Sequence, residues 1–408
     1  MSKERSPFSP GQPVAPEFFV GRDDQVKLLT RAIRQAAAGR PQYVFVTGER
    51  GIGKSSLASL AREIAEKEFG FVGAHALLGG SETLGEVCRR LYQALLSQLP
   101  EKRLIDKARK VFEGYVEGVD LFGFGVKFRR DAGSRASLAD NFLPLLAKVR
   151  QSFEEEGRKG IVLIADDLNG IAGEARFAEF LKSTVDQMAV GPMRSFPWVL
   201  ILVGVPERMD DLKAQQPSID RVFQPVELSL MDEEVAAGFY RRAFASVNHT
   251  LQEGALAVLA RASGGFPVIW HELGEAVFWE DEDQIISAQD ATTGLRNAVQ
   301  NVGRKYLQRP LYDELRSPVY QKILQFVANS VERSGTIVRS EAMARLSKRE
   351  ARNFDNFIRK MRDMNVLRVV ARRRGQYEFT NFLFQFYVML QSGSLAQQGG
   401  RIRREGGD

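Results

Sequence analysis

Residues 48–55 read Gly48-Glu49-Arg50-Gly51-Ile52-Gly53-Lys54-Ser55, a complete G-x-x-x-x-G-K-S run, with Ser56 following. These residue types at this spacing suit the holding of a polyphosphate. Glycines let the backbone curl so that its N–H groups point inward, and a helix beginning there adds positive potential. Lys54 supplies a point charge for β- and γ-phosphates, and the Ser55 hydroxyl can ligate Mg²⁺. The reading needs a strand before the run and a helix after it. Tyr43–Thr47 (YVFVT) fits the first, and Ser55–Phe69, with Leu57, Leu60, Ala61, Ile64 and Ala65 on one face, fits the second. An ordinary glycine-rich strand–helix turn would leave the Lys-Ser pair at the helix mouth unexplained.

A magnesium ion at such a loop calls for a carboxylate at the end of another strand of the same sheet. Asp166-Asp167, directly after the apolar run Ile161–Ala165 (IVLIA), meets that need. Asp166 is expected in the Mg²⁺ shell, and Asp167, with Lys54, in the catalytic set as the group that polarises an attacking water. The alternative for one of the two acids is a helix N-cap, because Asn169 and Gly170 follow.

The elements that must position these residues are legible as patterns. Tyr43–Thr47, Ile161–Ala165 and Trp198–Val203 (WVLILV) are continuous rather than alternating apolar runs, as in a parallel sheet covered by helices on both faces. The predicted fold class is α/β, a P-loop NTPase sheet over residues 19–229, followed by an all-α lid over 230–305 and a winged-helix domain over 306–391. An all-α unit is read from helical spacing in Glu233–Ala245, Gln252–Ala262 and Val268–Trp279, with Gly264-Gly265 as a break. The last domain is read from helices followed by Asn365–Val370 and Gln376–Phe379 around an Arg-rich turn. Residues 1–18 read as a flexible N-terminal arm and 392–408 as a flexible basic tail.

Composition narrows the class further. With 44% hydrophobic and 26% charged residues across 408 positions, the chain reads as globular rather than disordered. A single cysteine, Cys88, excludes an internal disulfide, and three scattered histidines, His75, His249 and His271, leave little for a histidine triad or metal site. No apolar stretch approaches the ~20 residues of a membrane helix, and the polar N-terminus lacks a secretion signal, so a cytoplasmic protein is expected.

The net charge of +6 is uneven: from Pro310 onward 18 lysines and arginines face 10 acids, a balance of +8, which leaves −2 for the rest. Arg345, Lys348, Arg349 and Arg352 lead into a helix with Phe354, Phe357, Ile358 and Met361 inward and Arg359, Lys360 and Arg362 on its polar side. With Arg372, Arg373 and Arg374 as a wing tip, this end can grip duplex DNA through Arg359, Lys360 and the three turn arginines. The other reading is protein contact or autoinhibitory packing with solvated arginines. The segment Val119–Arg130, alternating apolar residues and glycine before a basic pair, reads either as a projection toward DNA or another subunit or as a cap on the sheet.

In order along the chain, Phe19-Val20-Gly21-Arg22-Asp23, the G-x-x-x-x-G-K-S run, the Asp-Asp strand and Gly265-Phe266-Pro267 resemble the hhGRE, Walker A, Walker B and GxP motifs of STAND-type ATPases and their origin-recognition AAA+ relatives. The resemblance covers roughly residues 19–390. It implies an ATPase, slow or partner-stimulated, with ATP and Mg²⁺ as ligands. It also implies that Val20, Gly21 and Arg22 approach the adenine and that Pro267 closes over it. AAA+ relatives place a trans-acting arginine near Arg221; the plainer reading is a salt bridge to Asp220 or Asp211. The strand Trp198–Val203 runs into Gly204-Val205-Pro206-Glu207 without the usual polar sensor, and no arginine follows Pro267; His271, nearest there, reads as a packed surface residue. The expected output is ATP-controlled DNA binding. The alternative is a STAND signalling or defence ATPase that self-associates with ATP and contacts a regulatory protein partner.

Overall fold

The apolar runs at 43–47, 161–165 and 198–203 are interior strands because they have no polar face to offer solvent. In the computed structural model they become β1 (Gln42–Gly48), β3 (Gly160–Asp166) and β4 (Trp198–Gly204), the last two buried along their whole length. Two strands complete the sheet: β2 (Phe71–Leu77) and β5 (Gln224–Leu228). The order is β2-β3-β4-β1-β5, and every pairing is parallel. The structure describes residues 5–98, 142–190, 193–263, 265–302, 315–330, 336–364, 366–370, 373–380, 384–385 and 387–389. Val119–Arg130, Arg372 and the 392–408 tail lie outside them.

The chain divides into two compact units, Pro13–Ser229 and a second formed by Leu230 onward with the residues up to Gln12. In the first, the strand period of two splits the sheet's side chains between two layers. Val72, Ala74, Leu163, Ala165, Leu200 and Leu202 share one cluster with helices α3 (Leu84–Leu96), α4 (Phe142–Glu155) and α5 (Ala175–Val190). The opposite face carries α1 (Asp23–Ala37) and α2 (Lys54–Phe69), which pack on each other and on the strands. Two further helices, α6 (Pro206–Gln215) and α7 (Ile219–Val222), connect β4 to β5.

The second unit opens with four helices: α8 (Glu233–Ser246), α9 (Glu253–Ala262), α10 (Pro267–Glu280) and α11 (Ala288–Val302). A two-residue parallel pair, β6 (Thr250–Leu251) with β7 (Ile285–Ile286), ties their connections. Then come α12 (Pro318–Ser330), β8 (Ile337–Val338), α13 (Arg339–Arg345), α14 (Lys348–Asp363), β9 (Leu367–Val369) and β10 (Gln376–Phe379). The three strands form an antiparallel sheet in the order β8-β10-β9. A capping box between Ser347 and Glu350 starts α14. Phe354, Phe357, Ile358 and Met361 are its buried stripe, the inward set expected from spacing.

The described part of the N-terminal arm departs from the expectation of flexibility. Phe8 is 6% exposed and meets the rings of Phe239, Tyr240, Phe244 and His271. The Ser9 amide donates to His271 Nδ1 at 3.1 Å, and the Ser6 hydroxyl donates to Glu275. His271 is accordingly buried rather than at the surface, and burial pulls its pKa down to about 4, which leaves the ring neutral and able to accept. A Cβ on Gly274 would fall 2.2 Å from the Phe8 ring, so α10 is shaped for this residue. Phe8→Ala should destabilise this unit by about 3 kcal/mol through the cavity it leaves. Hydrogen exchange over α8 and α10 checks it; protection equal to the wild type would show that the arm contributes nothing to the unit.

Candidate functional site

The five residues between β1 and α2 carry the phosphate-loop sequence. Gly51 and Gly53 adopt φ 81° and 98°, in the left-handed region that side-chained residues avoid, and Gly48 lies at φ 153°. Space restricts Gly48 as well: a Cβ there would stand 2.7 Å from the Leu228 carbonyl and 2.9 Å from Ile52. Gly53 begins α2 without a side-chain cap, so the first amides of the helix are left for an anion.

Lys54 folds over the turn, its Nζ donating to the Gly48 and Glu49 carbonyls at 2.8 Å each. Burial lowers its pKa to about 8, against the opposing pull of the Asp166 charge, which among the nearby acids raises it most. Arg22 braces the loop from behind. Buried at 4% exposure, it donates to the Ile52 carbonyl at 3.4 Å and the Ser229 carbonyl at 2.5 Å. Its neighbours differ in setting: Val20 is half-buried, whereas Gly21 is exposed at φ 68°. The Ser56 hydroxyl accepts from the Val14 amide at 3.2 Å. Arg50, at the loop's tip, is exposed.

Asp166 ends β3 on the sheet face that carries α2. Burial on its own would raise its pKa, but hydrogen bonds from His75 and Ser55, with the charge of His75, outweigh that and hold the carboxyl below its usual range. His75 Nε2 lies 3.0 Å from Asp166 Oδ2. Spacing gave no sign of this partner. His75 lies in FVGAHAL, and only the β2–β3 register, His75 opposite Ile164 and Leu77 opposite Asp166, brings the two onto one face. A histidine in an otherwise apolar strand was the available signal.

Asp167 has a different setting. Its backbone is left-handed at φ 64°, and it precedes the 3-10 turn Leu168–Gly170 without capping it by its side chain. The carboxylate instead accepts from the Asn169 amide, and a Cβ on Gly79 would come 2.4 Å from Oδ2. Arg90 on α3 pins that neighbouring loop through the Leu77 and Gly79 carbonyls, at 2.8 and 2.9 Å.

Ser55 and Asp166 are hard oxygen donors, which suits Mg²⁺; among the described residues no three His, Cys, Asp or Glu gather into a cage.

Arg221 is exposed on α7, and neither acid considered for it is its partner: Asp220 pairs with Lys213 at 2.7 Å and Asp211 with Arg208 at 2.6 Å. Pro267 is the first residue of α10 in the other unit. Arg359 is exposed and Lys360 half-buried on α14, and Arg373 and Arg374 are exposed in the turn before β10.

Residues 19–193 match the AAA ATPase domain family. No curated protein sequence matches the chain. Three solved structures share its architecture at 14% identity each. The Aeropyrum pernix ORC2 protein, in ADPNP–ADP complexes, aligns with a TM-score of 0.59 over 98% of both chains. The Walker-type ATPase PABY2304 of Pyrococcus abyssi aligns at 0.53 over 91% of this chain and 97% of its own. The Aeropyrum pernix ORC1 protein in complex with DNA aligns at 0.50 over 94% and 95%. The fold is that of the P-loop AAA+ ATPases.

A lysine that titrates near pH 8 takes up a proton when a triphosphate joins it. Calorimetry at pH 8.5 in buffers of different ionisation enthalpy should show uptake of roughly three quarters of a proton per ATP, falling to almost none at pH 6.5. ATP affinity should correspondingly fall as pH rises through 8. Proton uptake near zero at both pH values would contradict the assignment.

Proposed function

We propose that the chain is an ATP-binding and hydrolysing switch whose C-terminal basic module, read as a winged helix, binds duplex DNA in a nucleotide-dependent way. The observation that carries the nucleotide reading is a half-buried lysine and a buried carboxylate at one edge of a parallel sheet. Asp166 is the acid that most strongly supports the charge on Lys54. In this reading the 48–54 amides and Lys54 take the phosphates. Ser55 and Asp166 share the Mg²⁺, which when bound offsets charge on the phosphate oxygens. Val20, Gly21 and Arg22 line the adenine side, and Pro267 contributes from the lid.

Hydrolysis joins a water oxygen to the γ-phosphorus and breaks its bond to the β–γ bridging oxygen. Asp167 is placed in the role of orienting that water and drawing on its proton. The hydrogen bond to Asn169 and the left-handed backbone hold Asp167 against its own loop. That restraint supports slow turnover, accelerated by a partner.

For DNA, support comes from the order helix, strand, helix, helix, strand, strand over 318–379 and from the basic charge of this end. Arg359, Lys360 and Arg372–Arg374 are the proposed contacts. The ORC1 relative described in complex with DNA is compatible with this use. The second reading, ATP-driven self-association in signalling with a protein partner, draws on Arg221, which is exposed and has no ion pair among the described residues. In that case it would meet a neighbouring subunit's γ-phosphate.

Lys54→Ala should abolish ATP retention, and Asp167→Asn should keep binding while lowering turnover at least ~100-fold. Equilibrium binding and single-turnover phosphate release measure the two; wild-type values in either variant remove that residue's role. Gel retardation of duplex DNA with and without ATP tests the output. Neutralising Arg373 and Arg374 should weaken binding across sequences and reduce the salt slope by about 2. Absence of retardation at low salt in the wild-type protein would pass the lead to the signalling reading.

A further inference from the structure

The magnesium-side carboxylate has a partner that the phosphate-loop chemistry does not itself require. His75 and Asp166 lie on adjacent parallel strands, two register positions apart, and so on one face of the sheet. Their side chains are 14% and 6% exposed, so the 3.0 Å contact between Nε2 and Oδ2 is shielded from water that would compete for it. The residues flanking His75, Ala74 and Ala76, are small, and both belong to the layer on the other face. No acid besides Asp166 pairs with His75 among the described residues. A buried carboxylate with one oxygen held by a fixed donor cannot spin about its Cβ–Cγ bond.

We propose that His75 is a positioning residue for the metal site: its Nε2–H holds Asp166 Oδ2, so that the carboxylate turns its other oxygen toward the Mg²⁺ shared with Ser55 and the nucleotide. His75 is not a ligand in this scheme, since its Nε2 is occupied by the carboxylate. Donors that orient ligating groups set metal affinity by about 10–100-fold in known sites. The inference rests on the reading of Asp166 as the Mg²⁺ carboxylate.

The test uses the full chain and a non-hydrolysable ATP analogue, titrated in EDTA and then against Mg²⁺. In the wild-type protein Mg²⁺ should tighten analogue binding. His75→Leu, which removes the donor, should raise the Mg²⁺ concentration needed by about tenfold while leaving the affinity in EDTA unchanged. His75→Gln, whose amide nitrogen can reach the place of Nε2, should restore the Mg²⁺ response to within about threefold of the wild type. A wild-type Mg²⁺ response in His75→Leu would overturn the proposal. So would an equal loss in both variants, or a loss in EDTA as well, because each would show that the residue acts on the sheet rather than on the metal. If Mg²⁺ does not tighten binding even in the wild-type protein, the assignment of Asp166 itself fails, and that outcome is distinct from the others.

Discussion

Drawing an ammonium group partly out of water at the end of an apolar strand is the constraint from which the rest of the first unit follows. Desolvating a lysine costs several kcal/mol unless carbonyls and an opposite charge replace the lost hydration. Lys54 recovers part of it from two backbone carbonyls and from the field of Asp166. Those carbonyls face inward only because the chain reverses through glycines, and at Gly48 a side chain would collide with β5. The sheet must therefore be parallel, with only β4 between β3 and β1, so that the acid of β3 and the lysine after β1 emerge at one edge. The interior strands β3 and β4 are buried along their whole length because helices cover both faces.

The two consecutive acids at the end of β3 show how environment separates like groups. Asp166 is still in the strand, buried and bonded by a histidine and a serine, which favours its charged form. One residue later the backbone turns left-handed and Asp167 leaves the strand, partly exposed and held by Asn169. A carboxylate fixed in the fold suits metal binding, and one restrained by a single exposed amide can be released. The difference in setting thus comes from one φ angle rather than from residue type.

Much of this was legible in the residues. The G-x-x-x-x-G-K-S run, the strand ending in Asp166 and the buried stripe of α14 each depend on local spacing, which pattern captures. What escaped depends on register and on contacts distant in sequence. β2 breaks the expected apolar run with Gly73 and His75, yet Gly73 is where Arg62 of α2 packs, and His75 is where Asp166 finds its donor. Phe8 sits in a proline- and serine-rich stretch that reads as a free arm, while its pocket is built by residues more than 200 positions away. Arg22, part of a short motif, is tied to Ser229 by a bond no local pattern contains.

The C-terminal module adds a further point about charge. Counting basic residues treats all arginines alike, but their surroundings do not. Arg339 grips Asp355 through two 2.7 Å bonds, and Arg368 pairs with Glu378 across β9 and β10. Pairs at the surface add little stability, about 0–1 kcal/mol, but they occupy the guanidinium groups that make them. Arg359, Arg373 and Arg374 stay exposed with no acid within ion-pair distance among the described residues. A polyanion meeting this surface gains from those groups without first breaking a bond. The basic charge that folding leaves unpaired thus lies on α14 and at the turn before β10.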